Sequence, residues 1–130
     1  MVIDTSALVA ILQTGPEADA LSEAILAASS PRMSAASLVE AGIVMQGRHG
    51  DVGSRDLDVL LSQTRVEVVP LTAAHAGLAR EAFRRFGEGR HPAGLNYGDC
   101  FAYALAAALA EPLLFVGSDF DQTDVAVAPY

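Results

Sequence analysis

There is no lysine in this 130-residue chain; all eight of its cationic side chains are arginine. That removes chemistry that depends on lysine: the P-loop phosphate grip, Schiff-base formation and a lysine general base. Cysteine occurs once, at Cys100, so no internal disulfide can form, and no paired Cys and His spacing suggests zinc. A lone thiol fits a reducing interior such as cytoplasm, and Cys100 itself reads as a small buried apolar group. No apolar run approaches the roughly 20 residues needed to cross a bilayer. The opening run carries Asp4 and has no basic flank, so no signal peptide is expected. A Gly-x-Ser-x-Gly elbow is absent, and His49, His75 and His91 have no evident role in a nucleophilic triad. Positive charge is scarce. A net charge of −8 argues against broad, nonspecific binding to nucleic acid, though not against a nucleic-acid substrate held by a local basic strip and bridging metal ions.

What is present is apolar and alanine-rich. The chain is 52% hydrophobic, enough for a core without staples, and its length fits one domain spanning residues 1–130. Met1-Val2-Ile3 reads as a short buried strand that stops at Asp4 and passes at once into a helix from Thr5 to about Gln13. Thr14-Gly15-Pro16 is a turn signal, and a second helix follows from Pro16 to about Ala28. Arg32-Met33-Ser34 is a short strand, and Ser34 caps a third helix, Ala35 to about Gly47. After a loop at His49-Gly50-Asp51, a fourth helix runs from Val52 to Thr64. Arg65–Pro70 is β-branched and bounded by proline, a strand by composition. Thr72 caps a fifth helix ending near Phe86. A glycine-containing flexible loop then leads through Leu95-Asn96-Tyr97-Gly98-Asp99 to the helix Cys100–Ala110. Leu113–Val116 is a continuous apolar run, as in a central parallel strand, and Val125–Ala128 adds an edge strand. Strands alternating with helices predict an α/β fold with a mainly parallel sheet flanked by helices.

The acids stand out against this background. Asp4 follows the first strand, Glu40 sits mid-way along an apolar helix, Asp99 opens another, and Asp119 follows the last apolar run. Each has an ordinary structural use. Asp4 makes a good N-cap, Glu40 can pair with an arginine at a helix edge, Asp99 can complete a capping box with Asn96, and Asp119 and Asp121 can be turn residues. Four carboxylates on core elements exceed what capping needs. Two of them about 4 Å apart would repel by roughly 4 kcal/mol at an effective dielectric near 20. A cluster therefore demands protons or a cation, and oxygen-only ligation points to Mg²⁺ or Mn²⁺. The chemistry that follows is metal-assisted hydrolysis of a phosphodiester. Arg80, Arg84, Arg85 and Arg90, half of the arginines, form the only concentrated basic patch and are expected to guide a polyanion past the acids.

Taken in order, Val2-Ile3-Asp4-Thr5-Ser6-Ala7, Ser37-Leu38-Val39-Glu40-Ala41, Leu95-Asn96-Tyr97-Gly98-Asp99-Cys100 and Leu113–Phe120 resemble the PIN-domain ribonucleases, specifically the VapC toxins of type II toxin–antitoxin systems. The resemblance covers essentially the whole chain. It implies a PIN-like three-layer fold and places the first three family acids on Asp4, Glu40 and Asp99. The fourth falls on Asp119, with Asp121 or Asp124 as alternatives. It implies Mg²⁺ or Mn²⁺ held by Asp4 and Asp99, a structured RNA substrate such as transfer or ribosomal RNA, a cognate VapB-type antitoxin, and a homodimer or a heterocomplex with the antitoxin. Apolar faces of the first, second and fourth helices would supply the antitoxin groove.

Two other readings compete. A receiver or haloacid-dehalogenase-like phosphotransfer domain also places acids at strand ends. The first needs a lysine, however, and the second an Asp-x-Asp pair where this chain has Asp4-Thr5-Ser6. A non-catalytic binding module on a decayed PIN fold is the other; the presence of all the expected acids argues against decay.

Overall fold

The computed structural model describes residues 1–130. Four short parallel strands, β1 (Val2–Ile3), β2 (Arg32–Ser34), β3 (Glu67–Val69) and β4 (Leu113–Leu114), form one sheet in the order β3-β2-β1-β4. Five helices surround it: α1 (Thr5–Leu12), α2 (Ala18–Ala27), α3 (Ala35–Thr64), α4 (Ala73–Phe86) and α5 (Tyr97–Leu109).

The pleat decides the layering. Val2 lies opposite Leu113 and Ile3 opposite Leu114, and successive side chains leave a strand on opposite faces. Val2 and Leu113 join a core with Ala79, Ala82 and Phe86 of α4 and the alanines of α5. Ile3, Leu114 and Met33 join a second core with Leu8 of α1, Leu21 and Ile25 of α2, and Ala41 and Leu57 of α3. Helices thus cover both faces of a parallel sheet, the three-layer arrangement the sequence predicts. Cys100 is buried among the alanines of α5, as its apolar reading expects.

Several element boundaries differ from expectation, each for a local reason. The third and fourth predicted helices are the two arms of α3, and they meet at a kink at Gly50 (φ 60°, ψ −148°), whose backbone is not helical. Only glycine readily adopts that conformation, so one residue turns the chain where a loop was expected. Helix α2 begins at Ala18, because Gly15 and Pro16 are spent in the preceding turn. Helix α5 begins at Tyr97, three residues before Cys100, because the capping box starts at Asn96; Asp99 therefore lies inside the first turn. Strand β4 stops at Leu114, since the Val116 N–H donates to Ser6 Oγ (3.0 Å) instead of a neighbouring strand. Val125–Ala128 is not a strand: it makes a single parallel bridge, Leu113 to Val127, against a β4 only two residues long. The loop after α4 is tied across its base, Glu88 N–H to Leu95 O at 3.0 Å and Leu95 N–H to Phe86 O at 2.9 Å, where the sequence suggested flexibility.

Candidate active site

Three of the four acids reach one place because of where the parallel strands end. In parallel α/β sheets, ligands bind beyond the carboxyl ends of the strands. Asp4 is the first residue past β1, and its backbone N–H is still held by Leu114 O of β4 at 2.9 Å. Its side chain caps α1, with Oδ2 accepting from Ser6 N–H at 2.8 Å. Asp119 follows the neighbouring strand β4. Glu40 comes from α3, which starts directly after β2 under a Ser34 cap. Thr5 Oγ1 donates to Ser37 O at 3.1 Å, pinning the start of α1 to α3 one turn before Glu40.

Asp99 arrives from the opposite layer. Asn96 Oδ1 accepts from Asp99 N–H at 3.0 Å, and Asp99 Oδ2 accepts from Asn96 N–H at 2.8 Å. The structural uses foreseen for Asp4 and Asp99 are therefore real. Each carboxylate spends one oxygen on a helix N-terminus, and both residues line one pocket.

That pocket, about 380 Å³, is lined by Asp4, Glu40, Asp99 and Asp119 together with Ser6, Gln13, Arg48 and Asn96. Among the alternatives for the fourth acid, Asp124 lies elsewhere. It accepts from Arg85 Nη2 at 2.7 Å and from the Tyr103 hydroxyl at 2.5 Å. Asp121 is exposed and does not line the pocket.

Charge is uncomfortable here. Burial raises the Asp4 pKa above its ordinary value; the hydrogen bonds from Ser6 oppose this and the Asp119 charge adds to it. Glu40 is raised by burial and then by the Asp4 charge. Burial pushes Asp99 up to about 7; the Asn96 backbone bond opposes the shift, while Asp4, Asp119 and Glu40 reinforce it. The carboxylates feel one another, and no cation is paired with any of these four within ion-pair distance.

No three acidic, histidine or cysteine side chains form a ready-made metal cage. The donor set nonetheless suits a hard cation that retains water. Mg²⁺ typically takes only one or two protein carboxylates, with waters and substrate phosphate completing its octahedron.

Sequence reasoning missed Gly98, which lies against Glu40 beside the pocket, and Ser6 and Arg48, which line it. Gly98 is the second residue of α5, and a Cβ there would fall 1.7 Å from Glu40 Oε2. The Glu40 carboxylate lies against the backbone of α5 in the space a side chain would fill. A glycine inside an alanine-rich helix, at a cost of about 1 kcal/mol relative to alanine, was the available signal. Ser6, which receives the Val116 N–H, gave no signal beyond an ordinary first-turn hydroxyl. Arg48 could have been found by its spacing, two helical turns after Glu40 on α3. The basic strip does not line the pocket. Arg84 is paired with Glu81, Arg85 with Asp124, and Arg80 lines a separate cavity between α4 and α5 with Phe83, Tyr97 and Phe101.

A family model described as PIN domain matches residues 1–126. The chain is 52% identical over 126 residues to a Ribonuclease VapC of Mycolicibacterium smegmatis, covering 97% of this chain and 98% of that protein. It is 49% identical over 126 residues to Ribonuclease VapC30 of Mycobacterium tuberculosis, covering 97% and 96%. Among solved structures, M. tuberculosis VapC20, described as a Sarcin-Ricin loop cleaving toxin, superposes with a TM-score of 0.80 at 17% identity over 99% of this chain and 98% of that one. A toxin–antitoxin complex from Klebsiella pneumoniae gives a TM-score of 0.74 at 18% identity, over 99% and 97%. At these identities the structural matches speak for the fold alone.

Two outcomes are expected from this geometry. Gly98→Ala should leave the melting temperature unchanged or raised, because alanine favours the helix and the flexible end of Glu40 yields. A crystal structure of the variant should show the Glu40 carboxylate displaced; an unmoved carboxylate would contradict the contact. The second concerns pH in the presence of a chelator. Asp99 ionises near 3.8 when unfolded and about 7 when folded. Its contribution to stability is thus fully present below about pH 4 and lost as pH rises through about 7. Thermal melts of wild type and Asp99→Asn should diverge over that range, with the variant gaining on the wild type as pH rises. A constant difference would mean that Asp99 is not perturbed.

Proposed function

Because the chain belongs to the PIN-domain family, and within it to the VapC ribonucleases, we propose that it is a divalent-cation-dependent endoribonuclease that serves as the toxin of a type II toxin–antitoxin pair. The observation that carries the proposal is the convergence of Asp4, Glu40, Asp99 and Asp119 on one pocket, where burial first and neighbouring negative charge second raise the pKa of Asp4, Glu40 and Asp99. Its substrate is structured RNA of the translation machinery, transfer or ribosomal RNA.

Asp4 and Asp99 are the residues that would hold Mg²⁺ or Mn²⁺, each through the oxygen not engaged in capping. Such an ion, when bound, lowers the pKa of a water and stabilises charge on the phosphate and leaving oxygen during in-line displacement. Glu40 carries a raised pKa and sits across the pocket against Gly98, which fits it to take the proton that the attacking water gives up. Asp119 adds negative charge at the open side and favours an arriving cation. The protein needs no covalent nucleophile, consistent with a buried, unreactive Cys100 whose thiol is pushed up to about 11.

A partner surface accompanies the site. Val39 and Ile43 of α3 are exposed one turn apart beside Glu40, and Leu26 of α2 and Val52 and Val59 of α3 are exposed as well. These apolar side chains fit the docking of a cognate VapB-type antitoxin and a homodimer. The whole chain, 1–130, would act as one PIN domain in the cytoplasm. No helix is long and apolar enough to cross a membrane.

The test is Asp4→Asn. Asparagine caps a helix as well as aspartate, and it removes one buried charge, so the variant should melt at the wild-type temperature or above. Its cleavage of RNA should fall by about 100-fold or more, in line with loss of a group that acts directly on the reaction, and chelator should abolish wild-type cleavage. A variant that cleaves as fast as wild type, or a wild type indifferent to chelator, would overturn the proposal. Wild-type RNA binding without cleavage would instead favour the non-catalytic module.

A further inference from the structure

Among the residues lining the acidic pocket, Arg48 is the one cation. Glu40, Val44 and Arg48 follow at four-residue intervals along α3, and all three line the pocket, so they share one helix face. Eight residues correspond to about 12 Å along the helix axis. That spacing sets the guanidinium apart from the carboxylates, at the rim. Its recorded partner is neutral: Arg48 Nη1 donates to Gln13 Oε1, at the end of α1, at 2.8 Å.

Arg32 is paired with Glu67 and Glu111, Arg84 with Glu81 and Arg85 with Asp124. Arg48 shares its lack of an ion pair with Arg55, Arg65, Arg80 and Arg90, but it alone of the arginines lines the acidic pocket. A full positive charge is therefore held by an amide at the rim of a pocket lined by four carboxylates, with no ion pair of its own. Guanidinium suits a phosphate oxygen pair because its fork of donors matches that geometry. A chain of net charge −8 repels RNA as a whole, so a cation at the mouth of the pocket has an electrostatic task.

We propose that Arg48, oriented by Gln13, forms a subsite for a backbone phosphate flanking the one that is cleaved. This rests on the ribonuclease reading and deepens it: the substrate must reach past the scissile bond along α3, toward Arg48. The contact is made in both ground and transition states, so it governs binding more than turnover.

The experiment uses the intact protein, total RNA for cleavage and bulk transfer RNA for binding, with binding measured on the Asp4→Asn background across a salt series. Arg48→Ala should weaken binding and raise KM by about tenfold, the equivalent of one charge-assisted hydrogen bond, with kcat nearly unchanged. The slope of log affinity against log salt should fall by about 0.7 to 0.9, the loss of one phosphate contact. Arg48→Lys should restore the slope but only part of the affinity, since it keeps the charge and loses the fork. Gln13→Ala should weaken binding less than Arg48→Ala does. Arg55→Ala, exposed on the same helix away from the pocket, is the control and should match wild type. If wild type cleaves RNA and Arg48→Ala matches it in KM and salt slope, the subsite is refuted while the ribonuclease stands. If wild type neither binds nor cleaves RNA, both fall.

Discussion

The burial of carboxylates that also repel one another is the constraint on which the rest of this structure depends. Asp4 and Asp99 are largely removed from water, and each lies within reach of the other's charge and of Asp119's. Burial alone would make one such acid costly. Gathering several with no arginine paired to them raises the cost further, and the fold tolerates it while capping bonds hold Asp4 and Asp99 in place. Proteins retain such arrangements where function requires them.

The same two side chains that crowd the pocket also hold the helices that form it. Asp4 caps α1, and Asp99 completes the capping box of α5. Negative charge at a helix N-terminus is favourable, so two helix ends, one from each face of the sheet, offset part of the repulsion. The second ring of contacts serves the same end. Thr5 ties α1 to α3, Ser6 ties α1 to the segment after β4, and Gly98 leaves room for Glu40 against α5. A structural cap and the proposed functional acid are compatible descriptions of these residues, since each accepts from a helix N-terminus through one oxygen and also lines the pocket.

Much of this was legible in the sequence. Periodicity and turn residues located all five regions of helix that matter and the four strands, because β-branched or apolar runs bounded by Gly, Pro and Ser have few other readings. The grouping of Asp4, Glu40, Asp99 and Asp119 followed from their positions at strand ends and on apolar helices. What stayed hidden depended on contacts between distant segments. The bend at Gly50 looks like any loop glycine until its φ is known. The short β4 reflects a hydrogen bond from Val116 to a serine 110 residues away. Linear density of arginine says nothing about pairing or placement: Arg84 and Arg85 are paired with Glu81 and Asp124 and Arg80 lines a separate cavity, while Arg48, outside the strip, lines the acidic pocket.

The most direct test is a crystal of the protein soaked in Mn²⁺ and measured for anomalous scattering. The account predicts a peak between Asp4 and Asp99, with an oxygen of each at about 2.1 Å, as hard octahedral cations require, and with Glu40 and Asp119 around it. A saturated crystal with no peak there, or with the four carboxylates turned away from one another, would contradict it.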